Sequence, residues 1–262
     1  MVTFTLLNQV IPSMDTLFIG QQIIKLATVD STNNYAANLI RTSKVVEGTV
    51  IMAEFQEAGR GQRGAVWNSK SGENLLLSYI LAPSFLEVHE QFYISKAAAL
   101  AIWETLDSLH FNVKIKWPND IYVNEKKIAG VLIENTLKKG KIDKTIIGIG
   151  LNVNQQEFSS ERFTSICNES NEEHDKMEVL NLLSTHLEKY YFLLKRKNFD
   201  KINEFYNERL LFLQMERQFQ INDSIVSGKI IEVVSNGNLK VDFNGDQKLF
   251  DLKEINFFPS QI

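Results

Sequence analysis

Apolar positions along this chain gather into short runs parted by polar or glycine-bearing stretches. Residues 48–55, 74–81, 113–117, 127–134 and 145–153 are rich in Val, Ile and Leu and bounded by polar residues or glycine, as strands are. Between them the period changes. Asp30-Ser31-Thr32 supplies N-cap side chains just ahead of residues 34–41, and residues 91–109 carry apolar side chains at helical spacing. Helices therefore interleave with strands. From residue 176 to 213 strand signals vanish and two amphipathic helical segments follow, the second with Phe199, Ile202, Phe205 and Tyr206 along one face. Residues 218–258 return to strands, at 224–234, 238–243 and 248–251. Ser235-Asn236-Gly237-Asn238 and Asn244-Gly245-Asp246 part them as hairpin turns. The pattern predicts an α+β domain over residues 1–214 and a small β-barrel over 215–262, with the boundary inside 212–217.

Composition narrows the function classes. The 262 residues hold 44% hydrophobic and 23% charged side chains, ordinary values for a soluble globular chain of one large domain and an appendage. Lys and Arg total 28 against 32 Asp and Glu, a net charge of -4, so nothing global attracts nucleic acid and any polyanion site is local. The single cysteine, Cys167, excludes an intramolecular disulfide and a multi-cysteine zinc site and fits a reducing compartment, the cytoplasm. The segment from Met1 to Gly20 has no basic start and mixes polar residues into its apolar stretches, which makes it a poor signal peptide. No apolar run approaches the roughly 18 residues that span a bilayer. The expectation is a chain neither exported nor embedded in a membrane. None of the four histidines stands in metal-ligand spacing.

Three segments carry candidate chemistry. Gln56-Glu57-Ala58-Gly59-Arg60-Gly61-Gln62-Arg63-Gly64 follows a predicted strand; its glycines leave backbone N–H groups unshielded, and Arg60 and Arg63 add fixed positive charge. The spacing is that of neither the P-loop nor the dinucleotide fingerprint. Read alone, the segment is either a phosphate-wrapping loop or a basic surface loop, and Trp67 beyond it either a core residue or a base-stacking platform. In Lys114-Ile115-Lys116-Trp117-Pro118-Asn119-Asp120, Pro118 breaks the strand and presents Asn119 and Asp120 at an opening. A carboxylate there, beside lysines, binds a metal ion or accepts a proton, or else belongs to a charged hairpin on a solvated face. In Ile147-Gly148-Ile149-Gly150-Leu151-Asn152-Val153-Asn154, alternate glycines strip one strand face, for close approach by a ligand or by another part of the sheet. Ser31-Thr32-Asn33 is a helix cap or a polar contact set.

Taken together, in this order and spacing, the Gly-Arg-Gly loop after Gln56, Lys116-Trp117-Pro118-Asn119-Asp120, Lys127-Ile128-Ala129-Gly130 and Gly148-Ile149-Gly150-Leu151-Asn152 resemble the biotin protein ligases. The likeness runs from Leu26 into the C-terminal strands. It implies a mixed sheet with flanking helices, of the class II synthetase type, carrying an SH3-like barrel. It also implies a reaction through biotinyl-adenylate, made from biotin and ATP with Mg²⁺ whose ligands the sequence does not fix. Arg60 and Lys127 are then expected at the biotin carboxylate and the adenylate phosphate. Ser31, Thr32, Asn33 and Gln56 offer the hydroxyls and amides that a ureido ring wants, with Gly59, Gly61 and Gln62 in the loop beside it and Gly130 and Gly148 leaving room in the walls. Trp67 is expected to stack on adenine, with Arg63, Lys116, Asn119 and Asn152 completing the ATP site. Transfer to an acceptor lysine requires that lysine to lose a proton, a task assigned to Asp120.

The implied partner is a biotin carboxyl carrier protein, with a homodimer through a sheet edge as an accompanying expectation. Where the family loop often reads Gly-Arg-Gly-Arg-Arg-Gly, Gln62 replaces one arginine, and faster loss of biotinyl-adenylate is expected. About thirty residues precede Ser31, too few for a helix-turn-helix domain, and no basic recognition helix is evident, so no DNA partner is expected. Lipoate ligases share the chemistry, but their arginine-rich Gly-Gly-Gly loop is absent here, and a DNA-binding regulator is the alternative from another class.

Overall fold

A computed structural model describes residues 14–252 and 254–258. The first part of the chain runs β1 (Ile23–Val29), α1 (Thr32–Thr42), β2 (Thr49–Gln56), β3 (Leu75–Leu81), α2 (Phe92–Asp107), β4 (Val113–Lys116), β5 (Asp120–Val123), β6 (Lys126–Lys138) and β7 (Lys141–Leu151). Three helices follow, α3 (Ile166–Ser170), α4 (Lys176–Lys195) and α5 (Phe199–Glu208), and then β8 (Glu216–Ile221), β9 (Ser224–Val233), β10 (Leu239–Phe243), β11 (Asp246–Phe250) and β12 (Asn256–Phe258). The first seven strands form one mixed sheet in the order β1-β2-β3-β7-β6-β5-β4, in which β1 alone pairs in parallel. The last five form an antiparallel sheet ordered β11-β10-β9-β8-β12, as the expected SH3-like unit requires.

Strand β3 explains the layering. All seven of its residues are buried, so helices must cover both faces. Leu75, Leu77, Tyr79 and Leu81 join the large core beneath α2 and α4, whereas Ile80 joins Leu26, Ile51 and Ile146 under Ala36 of α1. Residue 78 belongs to the α1 face by the two-residue period of a strand, and Ser78 there meets Thr32 and Asn33. Helix α1 is short and shelters only one side of this face, leaving the rest to be filled by something else.

Several boundaries differ from the sequence reading. The runs at 127–134 and 145–153 are the more buried parts of a longer hairpin, β6–β7, whose outer end is mostly polar and exposed apart from the buried Ile142 and the exposed Leu137. Strand β7 ends at Leu151 because Asn152 N donates to Ile128 O and Val153 N to Asn74 Oδ1, outside the ladder with β3. The turn expected at 244–246 is tighter, since Asp246 already pairs with Phe243.

The small sheet is fastened beside the mixed one by two buried donors. Lys96 of α2, fully buried, donates to Val233 O at 2.7 Å, Asn203 Oδ1 at 2.7 Å and Val234 O at 3.2 Å. Burial pushes its ammonium down to about 7, yet three oxygens and the faces of Phe92, Tyr93 and Tyr206 surround it as they would the charged form. Trp117 Nε1 donates to Gly237 O at 2.8 Å. Within α4, Glu188 accepts from the backbone N–H groups of Leu17, Phe18 and Ile19, which ties the described N-terminal residues to the core.

Candidate active site

Two cross-strand rows build the floor of a cleft of about 480 Å³ on the α1 face. In the first, Lys116 pairs with Asp120, Asp120 with Gly130 and Gly130 with Gly150. In the second, Leu132 pairs with Gly148 and Gly148 with Ser78. The glycines are required by what lies over them. A Cβ on Gly150 would stand 2.3 Å from Trp67 Cε2, and one on Gly148 would stand 2.4 Å from Asn33 Oδ1. Asn33 packs against Gly148, and Trp67, Asp120 and Lys127 stand around Gly130, while both glycines remain in the lining of the cleft.

The second row is polar and neutral. Thr32 N and Thr32 Oγ1 both donate to Gln56 Oε1, at 2.8 and 3.0 Å. Ser78 Oγ lies 2.8 Å from Thr32 Oγ1 and 2.6 Å from Asn33 Oδ1, with one proton to give. Asn33 Nδ2 donates to Glu134 Oε2 at 2.8 Å. Ser31 has the extended backbone of an N-cap but makes no capping side-chain bond. A purely local capping role therefore accounts for none of Ser31, Thr32 and Asn33. All three line the cleft.

The first row is charged. Lys127 Nζ sits 2.6 Å from Asp120 Oδ1 and 5.6 Å from the centre of the Trp67 ring. Lys116 lies over the faces of Tyr122 and Phe257. Burial lowers its pKa to about 8, against the pull of Asp120 and helped by the nearby Lys127 and Arg162. Among the described residues lining the cleft, Arg60, Lys116 and Lys127 are cationic and Asp120 is the one carboxylate; with Glu134, just outside, engaging Arg60, the site still carries net positive charge in a chain of net negative charge.

The glycine loop closes over these rows as a small hairpin. Trp67 N donates to Gly59 O and Gly61 N to Ala65 O, while Gln62–Gly64 form one 3-10 turn. Gly61 and Gln62 line the cleft. Gly59 sits against Trp67 O, where a Cβ would come within 2.4 Å. The Arg63 side chain lies outside the described part of the structure. Arg60 Nη2 reaches Glu134 Oε1 at 2.9 Å and Arg60 Nη1 reaches Asn34 Oδ1 at 2.7 Å. Asn119 lines the cleft with its Nδ2 held by Val131 O. Asn152 does not reach it, being buried with Nδ2 on Thr164 O.

Sequence reasoning missed Ser78, Glu134 and the far wall, which Gln220, Leu252, Ile255, Asn256 and Phe257 of the small sheet supply. A lone hydroxyl in an apolar run was a usable signal for Ser78, since a buried donor needs a partner.

Residues 26–152 match the biotin/lipoate A/B protein ligase family. A bifunctional ligase/repressor BirA of Bacillus spizizenii is 34% identical over 184 residues, 68% of this chain and 56% of that protein. A biotin--[acetyl-CoA-carboxylase] ligase of Mycobacterium tuberculosis is 30% identical over 52% of this chain and 50% of that one. The chain thus aligns with little more than half the length of these relatives. A solved structure of the Aquifex aeolicus biotin protein ligase, in complex with biotin and ATP, superposes with a TM-score of 0.76 at 29% identity. That superposition covers 90% of this chain and 98% of that one.

Proposed function

The chain belongs to the biotin/lipoate A/B protein ligase family through residues 26–152, and we propose that it is an ATP-dependent ligase that activates biotin as biotinyl-5'-adenylate and passes it to a lysine of a biotin carboxyl carrier protein. The observation that carries this reading is the division of the cleft into a neutral row of hydroxyls and amides and a cationic row beside it. Biotin has the matching division, a neutral ureido ring at one end and a carboxylate at the other. Ser31, Thr32, Asn33 and Gln56 meet the ring, with Ser78 buried behind Thr32 and Asn33; Arg60 and Lys127 meet the carboxylate.

In the first step a biotin carboxylate oxygen bonds to the α-phosphorus of ATP as the bond to the bridging oxygen breaks and pyrophosphate leaves. Two anions approach each other, so fixed cations supply the main stabilisation. Lys127 and Arg60 hold the reacting groups, Lys116 takes the phosphates, and Trp67 with Asn119 receives adenine. ATP enters as its Mg²⁺ complex. Mg²⁺ would neutralise phosphate charge there, and Asp120, engaged by Lys127, is the one carboxylate among the described lining residues that could help hold it.

In the second step the acceptor lysine nitrogen bonds to the acyl carbon and AMP leaves with the acyl oxygen. Once Lys127 turns to the acyl phosphate, Asp120 is released from its ion pair and faces the incoming lysine as the group that takes or orients its proton. The same reading divides the chain at residue 214 into a catalytic and a small β-domain, places the enzyme in the cytoplasm, and allows a homodimer through the edge strand β1, since residues 209–211 already bond the outer side of β4 at Ile115. It assigns no DNA-binding role. No helix among the described residues is long and apolar enough to cross a membrane.

The test is transfer itself. Incubated with biotin, ATP and Mg²⁺, a biotin carboxyl carrier domain gains one biotin on one lysine by mass spectrometry; an unmodified carrier beside a lipoylated lipoyl domain overturns the substrate assignment.

Lys116 gives the reading a pH signature. With its pKa near 8 in the free protein, the lysine is mostly charged at neutral pH and mostly neutral at high pH. The KM for ATP therefore rises by roughly five-fold as pH climbs from about 7 to about 9.5. Lys116→Arg, charged throughout, flattens that slope. A KM profile of the variant as steep as that of the parent removes Lys116 from the phosphate site.

A further inference from the structure

We infer that Glu134 is a positioning residue that holds Arg60, and with it the glycine loop, in register with the biotin-head pocket. It lies outside the cleft lining, yet one of its carboxylate oxygens accepts from Arg60 and the other from Asn33. No other carboxylate described in the structure joins the two rows in this way.

Two consequences follow from the donor count. With the two N–H groups of Asn33 Nδ2 given to Glu134 Oε2 and, at 3.4 Å, to Leu132 O, the Asn33 carbonyl is the atom left to face Ser78 and the cleft. An acceptor there suits the N–H groups of a ureido ring. Arg60, in turn, is half exposed on a loop built around three glycines, so without a fixed anion its guanidinium samples many positions. Glu134 and Asn34 hold both of its terminal nitrogens. When the biotin carboxylate arrives, the guanidinium is already aimed, and Asn33 and Arg60 are set by one rigid group on β6. This inference rests on the biotin reading for its effect on binding, but its effect on the loop does not.

The experiment uses Glu134→Gln in the full chain, which keeps shape and removes charge, with Glu134→Asp as the conservative partner. Trypsin cuts after Arg60 and Arg63, so the rate of loop cleavage without ligands reports how firmly Arg60 is held. Glu134→Gln is expected to be cut faster and to show a KM for biotin raised roughly ten-fold, with the KM for ATP and the thermal midpoint unmoved. Glu134→Asp recovers part of both. Cleavage and KM unchanged together overturn the inference, and so does a raised KM with unchanged cleavage, which would place the effect on Asn33 alone. Faster cleavage in a protein that uses no biotin supports the loop role and removes the ligase reading instead.

Discussion

Lys127→Ala is expected to lower biotin-dependent pyrophosphate exchange by roughly two to three orders of magnitude while leaving a folded protein. The side chain is about three-quarters buried and contributes two things at once. It balances Asp120 at 2.6 Å, and it is a cation adjoining Trp67 on the charged row. Its loss leaves Asp120 without its ion-pair partner where two further anions must approach, so the substitution removes an attraction and exposes a repulsion. Asp120→Asn in the same background removes that repulsion and is expected to recover part of the exchange. If exchange in Lys127→Ala stays within a few-fold of the parent, the charged row is not where the phosphate and carboxylate meet.

Gly148→Ala is the second large effect, and it discriminates between substrates. The new methyl group would stand 2.4 Å from Asn33 Oδ1 and 3.0 Å from the rest of that amide. Asn33 is 3% exposed and bonded to Ser78 and Glu134, so it gives way only by breaking those bonds. Displacing a buried amide from its partners costs about 2 kcal/mol. The KM for biotin then rises about thirty-fold. The ATP half of the cleft lies over the other row, so the KM for ATP should hold within a factor of about two. Steady-state kinetics in both substrates check this; equal losses in both KM values contradict the two-row division.

Much of this arrangement was legible before any coordinates. The Gly148 and Gly150 alternation announced a bare strand face, and the Pro118 break announced an opening at Asn119 and Asp120, because both follow from local backbone chemistry. The interleaved runs at 48–55 and 74–81 gave strands of the mixed sheet for the same reason. What escaped depends on partners distant in sequence. Strand β1 reads poorly alone because Lys25 and Thr28 interrupt it and its ladder is a parallel edge on β2. Asp120 to Val123 became a strand because it could pair with both β4 and β6. Glu134 looked like the polar end of a strand, and only the fold reveals that Asn33 and Arg60 converge on it. The wall from Gln220 and Asn256 required knowing where the small sheet docks, which Lys96 and Trp117 fix through backbone carbonyls that no side-chain pattern encodes. Asn152 failed in the opposite direction. The resemblance to the ligase family implied it at the adenine, but the chain leaves the ladder at Leu151 and turns the amide inward.

The measurement that bears most directly on the central claim is ATP–pyrophosphate exchange by the purified protein, run in parallel with biotin and with lipoate as the sole carboxylic acid. The cleft described here predicts exchange that depends on biotin and is absent with lipoate. Exchange driven by lipoate would keep the charged row and reassign the neutral one, whereas no exchange with either acid contradicts adenylation at this site.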